Sequence, residues 1–356
     1  MTRQSTGIRT QKIDGEAIIR TANRLRIIDK ELEIHKDEDF IYIPVSRQPT
    51  NAELDIFQEQ SANIEVSTYA FKERTKHSVT LAELLQDRLP PHLLAVLPHS
   101  ADIVGDIAVI EIPQELESYK VLIGETVLKA YKNVKTVLAK AGAVSGVYRL
   151  REFETIAGEN RTATLHKEYG CRYCVDVAKA YFSPRLSYEH NRVASLVNEG
   201  ETVVDLFAGV GPFAVLIGKT HKTVKVYAVD VNPDAVGLLK RNVRLNRVEN
   251  RVYPIFGDAR QVVEQRLPGV ADRVIMNLPE RALEFVDAAC RALRAEGGVV
   301  HFYGFVEADE SMRRFETLFA GAVEKNGRRV DEIVFSRSVR ETAPFQWQVV
   351  VDAKIV

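Results

Sequence analysis

The segment VVDLFAGVGPFAV, Val203 to Val215, holds the residues best suited to chemistry. Asp205 ends an apolar run, Gly209 and Gly211 occupy the turn behind it, and Pro212 opens a helical pattern. Glycine serves such a turn because the backbone must bend sharply and approach a ligand with no Cβ in the way. Gly209-Val-Gly211-Pro-Phe-Ala214 also satisfies GxGxxA, and Asp230 ends the next apolar run, where it could hold ribose hydroxyls. A dinucleotide oxidoreductase using NAD therefore has to be considered. Asp205 argues against it, because its carboxylate would face a pyrophosphate across the turn and like charges repel. S-adenosylmethionine carries no phosphate and has an ammonium and a sulfonium, so an acid beside the glycine turn suits it. Asp258, in FGDAR, ends a third run and is placed to meet an adenine edge. Three acids closing three successive strands fit a cationic nucleoside better than a dinucleotide. The plain alternative is an α/β sheet that binds no ligand.

After a fourth run comes MNLPE, Met276 to Glu280. An amide at Asn277 followed by Pro279 can hold a planar nitrogen heterocycle through side-chain and backbone oxygens, whereas the bland reading is a strand-to-helix turn. Cys171 and Cys174 form a CxxC with His166 nearby and Cys290 far away. A structural zinc site wants four ligands, usually two such pairs, so the simple reading is two small buried thiols and no metal.

These residues need a sheet to hold them. Apolar runs at Val203–Phe207, Val224–Val229, Val252–Phe256, Val274–Met276 and Gly298–Phe305 read as parallel strands. The helical patterns Phe213–Ile217, Pro233–Asn246, Ala259–Arg266, Glu280–Arg294 and Glu310–Lys325 separate or follow them. Strands near Glu332–Arg337 and Trp347–Lys354 are too close for a helical crossover and form an antiparallel pair at the end of the sheet. Upstream, a helix over Gly15–Arg26 and a strand at Phe40–Val45 suggest a small α+β module ending near Asn63, and the polar stretch Lys72–His77 reads as a linker. A second region starts at VTLAELLQDRL, with a strand at Ile107–Ile112 and a helix around Gly124–Lys140.

At 356 residues with 46% hydrophobic and 27% charged side chains, the chain is a folded protein of two to three domains. Thr202–Gly218, its most apolar stretch, contains Asp205 and is too short for a membrane span. Residues 1–20 lack the apolar core of a secretory signal, and their early acids argue against a transit peptide. With three cysteines, the reducing cytosol is the expected compartment. The net charge of -1 hides an uneven distribution: residues 119–195 hold thirteen Lys/Arg against seven acids, residues 1–70 nine against twelve. The basic middle suits a polyanion; the alternative is a solvated face balanced elsewhere.

GVYRLREFETIAGENRT, LHKEYGCRYCVDVAKAYFSPRLSYEHNRV, DLFAGVGPFAV, VYAVDVNP, FGDAR and NLP follow one another across Gly146 to Pro279. Together they resemble the archaeal and eukaryotic tRNA (guanine-N1)-methyltransferases that act on guanosine 37, just 3′ of the anticodon. The resemblance implies an α/β fold: a class I, Rossmann-like methyltransferase domain with a mostly parallel seven-stranded sheet, preceded by two smaller α+β domains. It assigns 1–63 to a small domain that docks on the outer corner of tRNA, 70–180 to a middle RNA-binding domain and 181–356 to the S-adenosylmethionine-binding domain. The implied cofactor is S-adenosyl-L-methionine, held by Asp205, Phe207, Gly209, Gly211, Asp230, Asp258 and Asn277. The implied partner is tRNA carrying guanosine 37, with Tyr181, Arg185, Asn277 and Pro279 at the guanine, no membrane, and a monomeric enzyme in the cytoplasm. Catalysis maps onto Glu189 and Arg149. Guanine N1 carries a proton, so a base must remove it, which glutamate can do, and an arginine fork can hold charge developing on O6.

Glu280 follows the proline where enzymes that methylate exocyclic amines tend to carry an aromatic, which favours ring-nitrogen chemistry. A related family transfers the aminocarboxypropyl group of the same donor, or a second methyl, to the wyosine precursor at the same position. Glu189 is the discriminator, since an already substituted ring has no N1 proton to lose. An RNA chaperone and a donor-binding regulator are the non-enzymatic readings, and turnover on unmodified tRNA separates them from a catalyst.

Overall fold

The computed structural model describes residues 2–61, 63–73, 80–98, 100–142, 146, 148–307, 311–343 and 345–356. The chain divides into two compact units, Met1–Thr80 and Leu81–Val356. In the first, strand Thr2–Gln11 pairs antiparallel with Phe40–Pro44 and with Glu65–Lys72, and His35–Lys36 adds an edge. Helix Gly15–Arg24 contributes Ile18 and Ala22, and helix Asn51–Gln58 contributes Phe57, to a core shared with Ile8 and Ile43. The register Thr2↔Lys72 to Arg9↔Glu65 carries this module past residue 63. The sequence hides that strand because Phe71 alone is fully buried along Glu65–Lys72. Of the stretch read as a linker, Lys72 is in this strand, whereas Arg74, Lys76 and His77 lie outside the described residues, as does Glu310.

The second unit opens on the short helices Leu81–Leu85 and Pro91–Leu94 and continues into a four-stranded sheet in the order Asp102–Val104, Ile107–Ile110, Thr136–Lys140, Phe153–Gly158. Its central pair is parallel, and helix Lys120–Ala130 makes the crossover between them. The helix expected to reach Lys140 therefore stops at Ala130. Residues 136–140 are a strand because Thr136 and Val137, both β-branched and both fully buried, pair with Ile107 and Ala108.

The hairpin Ala163–Glu168 and Cys171–Asp176 is sewn to helix Pro233–Asn246. Asn242 Oδ1 accepts from Cys174 N at 2.6 Å and Asn246 Oδ1 from Arg172 N at 2.9 Å. These bonds join the region before residue 181 to the large sheet within one compact unit, so 180/181 is not a break between bodies. Cys171 and Cys174, three apart on one strand, point to opposite faces and do not form a thiol pair.

The large sheet has seven strands in the order Val252–Phe256, Lys225–Asp230, Thr202–Asp205, Arg273–Met276, Gly298–Glu307, Gln346–Ile355, Val330–Ala343. Its first five are parallel, and Gln346–Ile355 runs against both its neighbours. Thr202–Asp205 and Arg273–Met276 are adjacent but distant in sequence, so the strand order reverses beside Asp205. In doubly wound sheets ligands bind at the carboxyl ends of the strands at such a switch point. Helices Pro212–Thr220 and Pro233–Asn246 cover one face through Phe213, Leu216 and Leu239; Ala259–Arg266, Val286–Ala292 and Met312–Lys325 cover the other through Val263, Ala289 and Phe319.

Candidate active site

At that switch point lies a cavity of about 240 Å³, walled by Phe207, Gly209, Asp230, Asp258, Asn277 and Phe285 among others. Gly209 has φ +55°, and its N–H donates to Asp230 Oδ2 at 2.7 Å, tying the turn to the end of the second strand. Asp230 Oδ1 accepts from Asn232 N at 2.8 Å. Gly211 plays a different part from the one expected. It does not line the cavity; at φ +91° it opens helix Pro212–Thr220, and a Cβ there would stand 2.2 Å from Leu239 Cδ1. The left-handed backbone at the start of the helix, with Leu239 packed against it, requires that glycine.

Asp205 is fully buried beneath the loop and does not line the cavity. Its Oδ1 accepts from Phe207 N at 3.4 Å, and Oδ2 has no partner among the described residues. Burial, reinforced by the nearby Asp230 charge, pushes its carboxyl up to about 7. A carboxylate orphaned beneath the loop suits a cationic ligand in the cavity above it, whose charge would favour the ionised form across the low-dielectric interior. Asp258 caps helix Ala259–Arg266, taking the N–H groups of Arg260 and Gln261 on Oδ1, so Oδ2 remains for a ligand. Phe285 closes the far side, edge-on to Phe207 and flanked by Arg260 at 4.6 Å and Arg281 at 5.8 Å from its ring centre.

A second cavity of about 430 Å³ adjoins the first, sharing Arg149, Tyr181, Phe182, Ser183, Phe305 and Arg340. Lys140, Arg151 and Arg185 join its wall opposite Asp102, Glu280 and Glu341, with Arg185 paired to Asp102 at 2.5 Å, so Arg185 belongs here and not to the first cavity. Arg149 stands at the junction in a left-handed conformation, φ +55°, over the Tyr181 ring at 5.4 Å, with Nη1 3.0 Å from Glu280 Oε2. Pro279 lines the first cavity beside Asn277.

Glu189 is not with them. It is 1% exposed and lines neither cavity. Its Oε1 accepts from Arg337 Nη2 at 2.9 Å; its Oε2 accepts from Tyr303 Oη and Arg192 Nε, each at 3.0 Å. Arg192 continues to Asp352, and Asp352 to His301 at 2.6 Å, a buried polar network behind the cavity wall. Sequence reasoning also passes over Arg340 and Gln348. Arg340 Nη2 donates to Tyr181 Oη at 3.0 Å and Nη1 to Ser183 Oγ at 2.7 Å. The one available signal was Gln348 itself, a polar residue inside the apolar run WQVVV.

Gln348 Nε2 donates to Asn277 Oδ1 at 3.2 Å, which engages one of the two lone pairs of the side-chain oxygen expected to hold a heterocycle.

A Rossmann-like sheet with carboxylates around a glycine turn, facing an Asn-Leu-Pro loop across one cavity, defines the class of nucleoside-cofactor methyltransferases. The chain belongs to the TRM5/TYW2 methyltransferase family: the TRM5/TYW2 methyltransferase domain matches residues 164–330, the TYW2 N-terminal domain residues 81–162, and the tRNA methyltransferase 5 N-terminal domain residues 7–53. It is 39% identical to the tRNA (guanine(37)-N(1))-methyltransferase Trm5b of Pyrococcus abyssi, over 96% of each chain. The crystal structure of that protein superposes with a TM-score of 0.69 at 36% identity, covering 99% of both. A complex of aTrm5 with tRNALeu matches at 33% identity with a TM-score of 0.66, covering 98% of this chain and 99% of that one. The tRNA 4-demethylwyosine(37)-methyltransferase Taw21 of Saccharolobus solfataricus is 35% identical over 71% of this chain and 92% of its own.

Proposed function

We propose that the protein transfers a methyl group from S-adenosylmethionine to N1 of guanosine 37 in tRNA. The observation that carries this reading is the junction of the two cavities: a nucleoside site holding Asp230 and Asp258 at the strand ends adjoins a second cavity in which basic side chains outnumber acids, and the two share Arg149 and Tyr181. The likeness to Trm5b along nearly the whole chain supports it. The residues present fit the cofactor: the free Asp258 Oδ2 on the cavity wall suits its adenine, and the unpartnered carboxylate of Asp205 beneath the loop lends the cavity a negative potential that suits its cationic part without touching it. When bound, S-adenosylmethionine supplies an electrophilic methyl group.

On the chain's side, Asp230 holds the ribose hydroxyls, Phe207 and Phe285 enclose the adenine, and Tyr181 supports the target base. Arg149 holds the charge that develops on guanine O6. Glu189 takes the N1 proton, which requires its side chain to leave Arg337, Arg192 and Tyr303 and turn into the cavity when the anionic RNA binds. The cationic second cavity holds the RNA backbone beside the base. Residues 1–63, within the first unit, dock the outer corner of the tRNA, 70–180 grip its backbone, and 181–356 bind the donor. The enzyme works as a monomer in the cytoplasm, and its catalytic part is a class I methyltransferase domain.

The test is mass spectrometry of an unmodified tRNA with G37 after incubation with protein and donor. One methyl group on the guanosine, sensitive to Arg149→Ala, supports the reading. Product seen only when the wyosine precursor is supplied points to the related reactions.

A further inference from the structure

Gln348 lies in the reversed strand Gln346–Ile355, is 1% exposed, and faces Arg340 directly in register. The partner strand shifts register between Ser338 and Arg340, the kind of irregularity that re-aims a side chain beside an active site. Arg340 Nε donates to Gln348 Oε1 at 2.9 Å, and Gln348 Nε2 donates to Asn277 Oδ1 at 3.2 Å. The direction of this relay follows from chemistry alone. A guanidinium has only donors, so Gln348 must turn its oxygen to Arg340 and its NH₂ to Asn277. Asn277 must then accept with its oxygen. Its NH₂ has no partner among the described residues, and Asn277 lines the first cavity, whose wall Arg149 and Tyr181 also form. The amide orientation is thus set by a chain of donors that begins at an arginine.

We infer that Arg340 and Gln348 are positioning residues that fix the polarity of Asn277, so that the site presents N–H donors to the target base and selects 6-oxopurines over 6-aminopurines. This deepens the proposed function and rests on it. Guanine offers O6, whose two lone pairs can take Arg149 and Asn277 together, whereas adenine would set its N6 amino group against both donors. Leaving buried donors facing donors discriminates more strongly than a change of shape does.

The test compares wild type, Gln348→Glu, Gln348→Met and Asn277→Asp in single-turnover methyl transfer to tRNAs that differ solely in G, inosine or A at position 37. Calorimetry with S-adenosylmethionine and thermal unfolding accompany each variant. Gln348→Glu can only accept, so Asn277 must flip and show its oxygen to the base; Asn277→Asp shows an oxygen without flipping. Both should slow G37 and inosine-37 in parallel and raise the A37 to G37 rate ratio by ~10-fold or more, with donor affinity not lowered. Gln348→Met, which leaves Asn277 free to adopt either orientation, should move the ratio less. If the buried Gln348 variants do not fold, Asn277→Asp on the cavity wall carries the test. An unchanged A37 to G37 ratio, or a loss of donor binding that tracks the loss of rate, overturns the relay. A wild type that leaves N1 of G37 unmethylated overturns the proposed function instead.

Discussion

Replacing Asp205 by Asn should weaken donor binding while making the ligand-free protein more stable. Asp205 is fully buried, its Oδ2 is unpartnered, and its carboxyl is pushed from an ordinary 3.8 up to about 7. At ~1.4 kcal/mol per pH unit, the ionised side chain costs the folded protein ~4 kcal/mol above pH 7. Below about pH 4 the group is neutral in both folded and unfolded chains, and this cost is absent. Between about pH 4 and 7 the unfolded chain ionises while the folded one stays protonated, so its contribution to stability declines as pH rises. A cationic donor in the cavity above the loop reverses the balance, because its charge stabilises the ionised form alone through the low-dielectric interior. For a group titrating near 7 that must be ionised to bind, affinity at pH 6 should be ~10-fold below that at pH 8. Asp205→Asn keeps the shape but carries no charge. It should flatten this pH dependence, lower affinity at pH 8, and raise the unfolding free energy of the free protein at pH 8 by as much as ~4 kcal/mol. Calorimetric titration with S-adenosylmethionine from pH 5.5 to 8.5, beside denaturant unfolding of the free protein, measures both. Wild-type affinity that is flat between pH 6 and 8, together with an Asn variant no more stable than wild type, would refute the reasoning.

Asp230→Ala removes the acceptor for Gly209 and Asn232 N–H groups and the proposed ribose contacts, so donor affinity should fall by ~2 to 4 kcal/mol in the same titration. Glu189→Gln keeps the reach of the side chain but cannot take a proton, and single-turnover transfer to G37 should drop ~10² to 10⁴-fold with donor affinity little changed; a rate within threefold of wild type from pH 5.5 to 9 would leave Glu189 a purely structural member of its network. Gly211→Ala forces a Cβ to within 2.2 Å of Leu239 Cδ1 at φ +91°, and denaturant unfolding should show a loss of ~1 to 3 kcal/mol.

The parallel strands and the helices between them were legible because each reports on itself. Val203 and Val204, or the amphipathic run Pro233–Asn246, carry their period and caps in a few adjacent residues. Asp230, Asp258 and the glycine turn followed from the same local signals, since strand ends place them at one edge of the sheet. The strand Glu65–Lys72 and the strand Thr136–Lys140 were missed because pairing partners remote in sequence determine them: Thr2–Arg9 for the first, Ile107–Ile110 for the second.

By itself the sequence determined the kind of protein this is: an ordered run of motifs for a cationic nucleoside and a tRNA base, on an alternating α/β pattern. Only the tertiary structure decided how those residues are used. Gly209 and Gly211, two positions apart, diverge into a cavity-lining turn and a left-handed helix start packed beneath Leu239, which arrives from a different helix. Arg149 and Glu189, joined in the motif reading, separate into a cavity wall and a buried network, because Tyr303, Arg192 and Arg337 surround the carboxylate. Arg340 and Gln348, unremarkable in the chain, reach Asn277 across three strands. Hydrogen-bond direction and burial depend on what the fold brings within three ångströms, and no local pattern encodes neighbours that far apart in sequence.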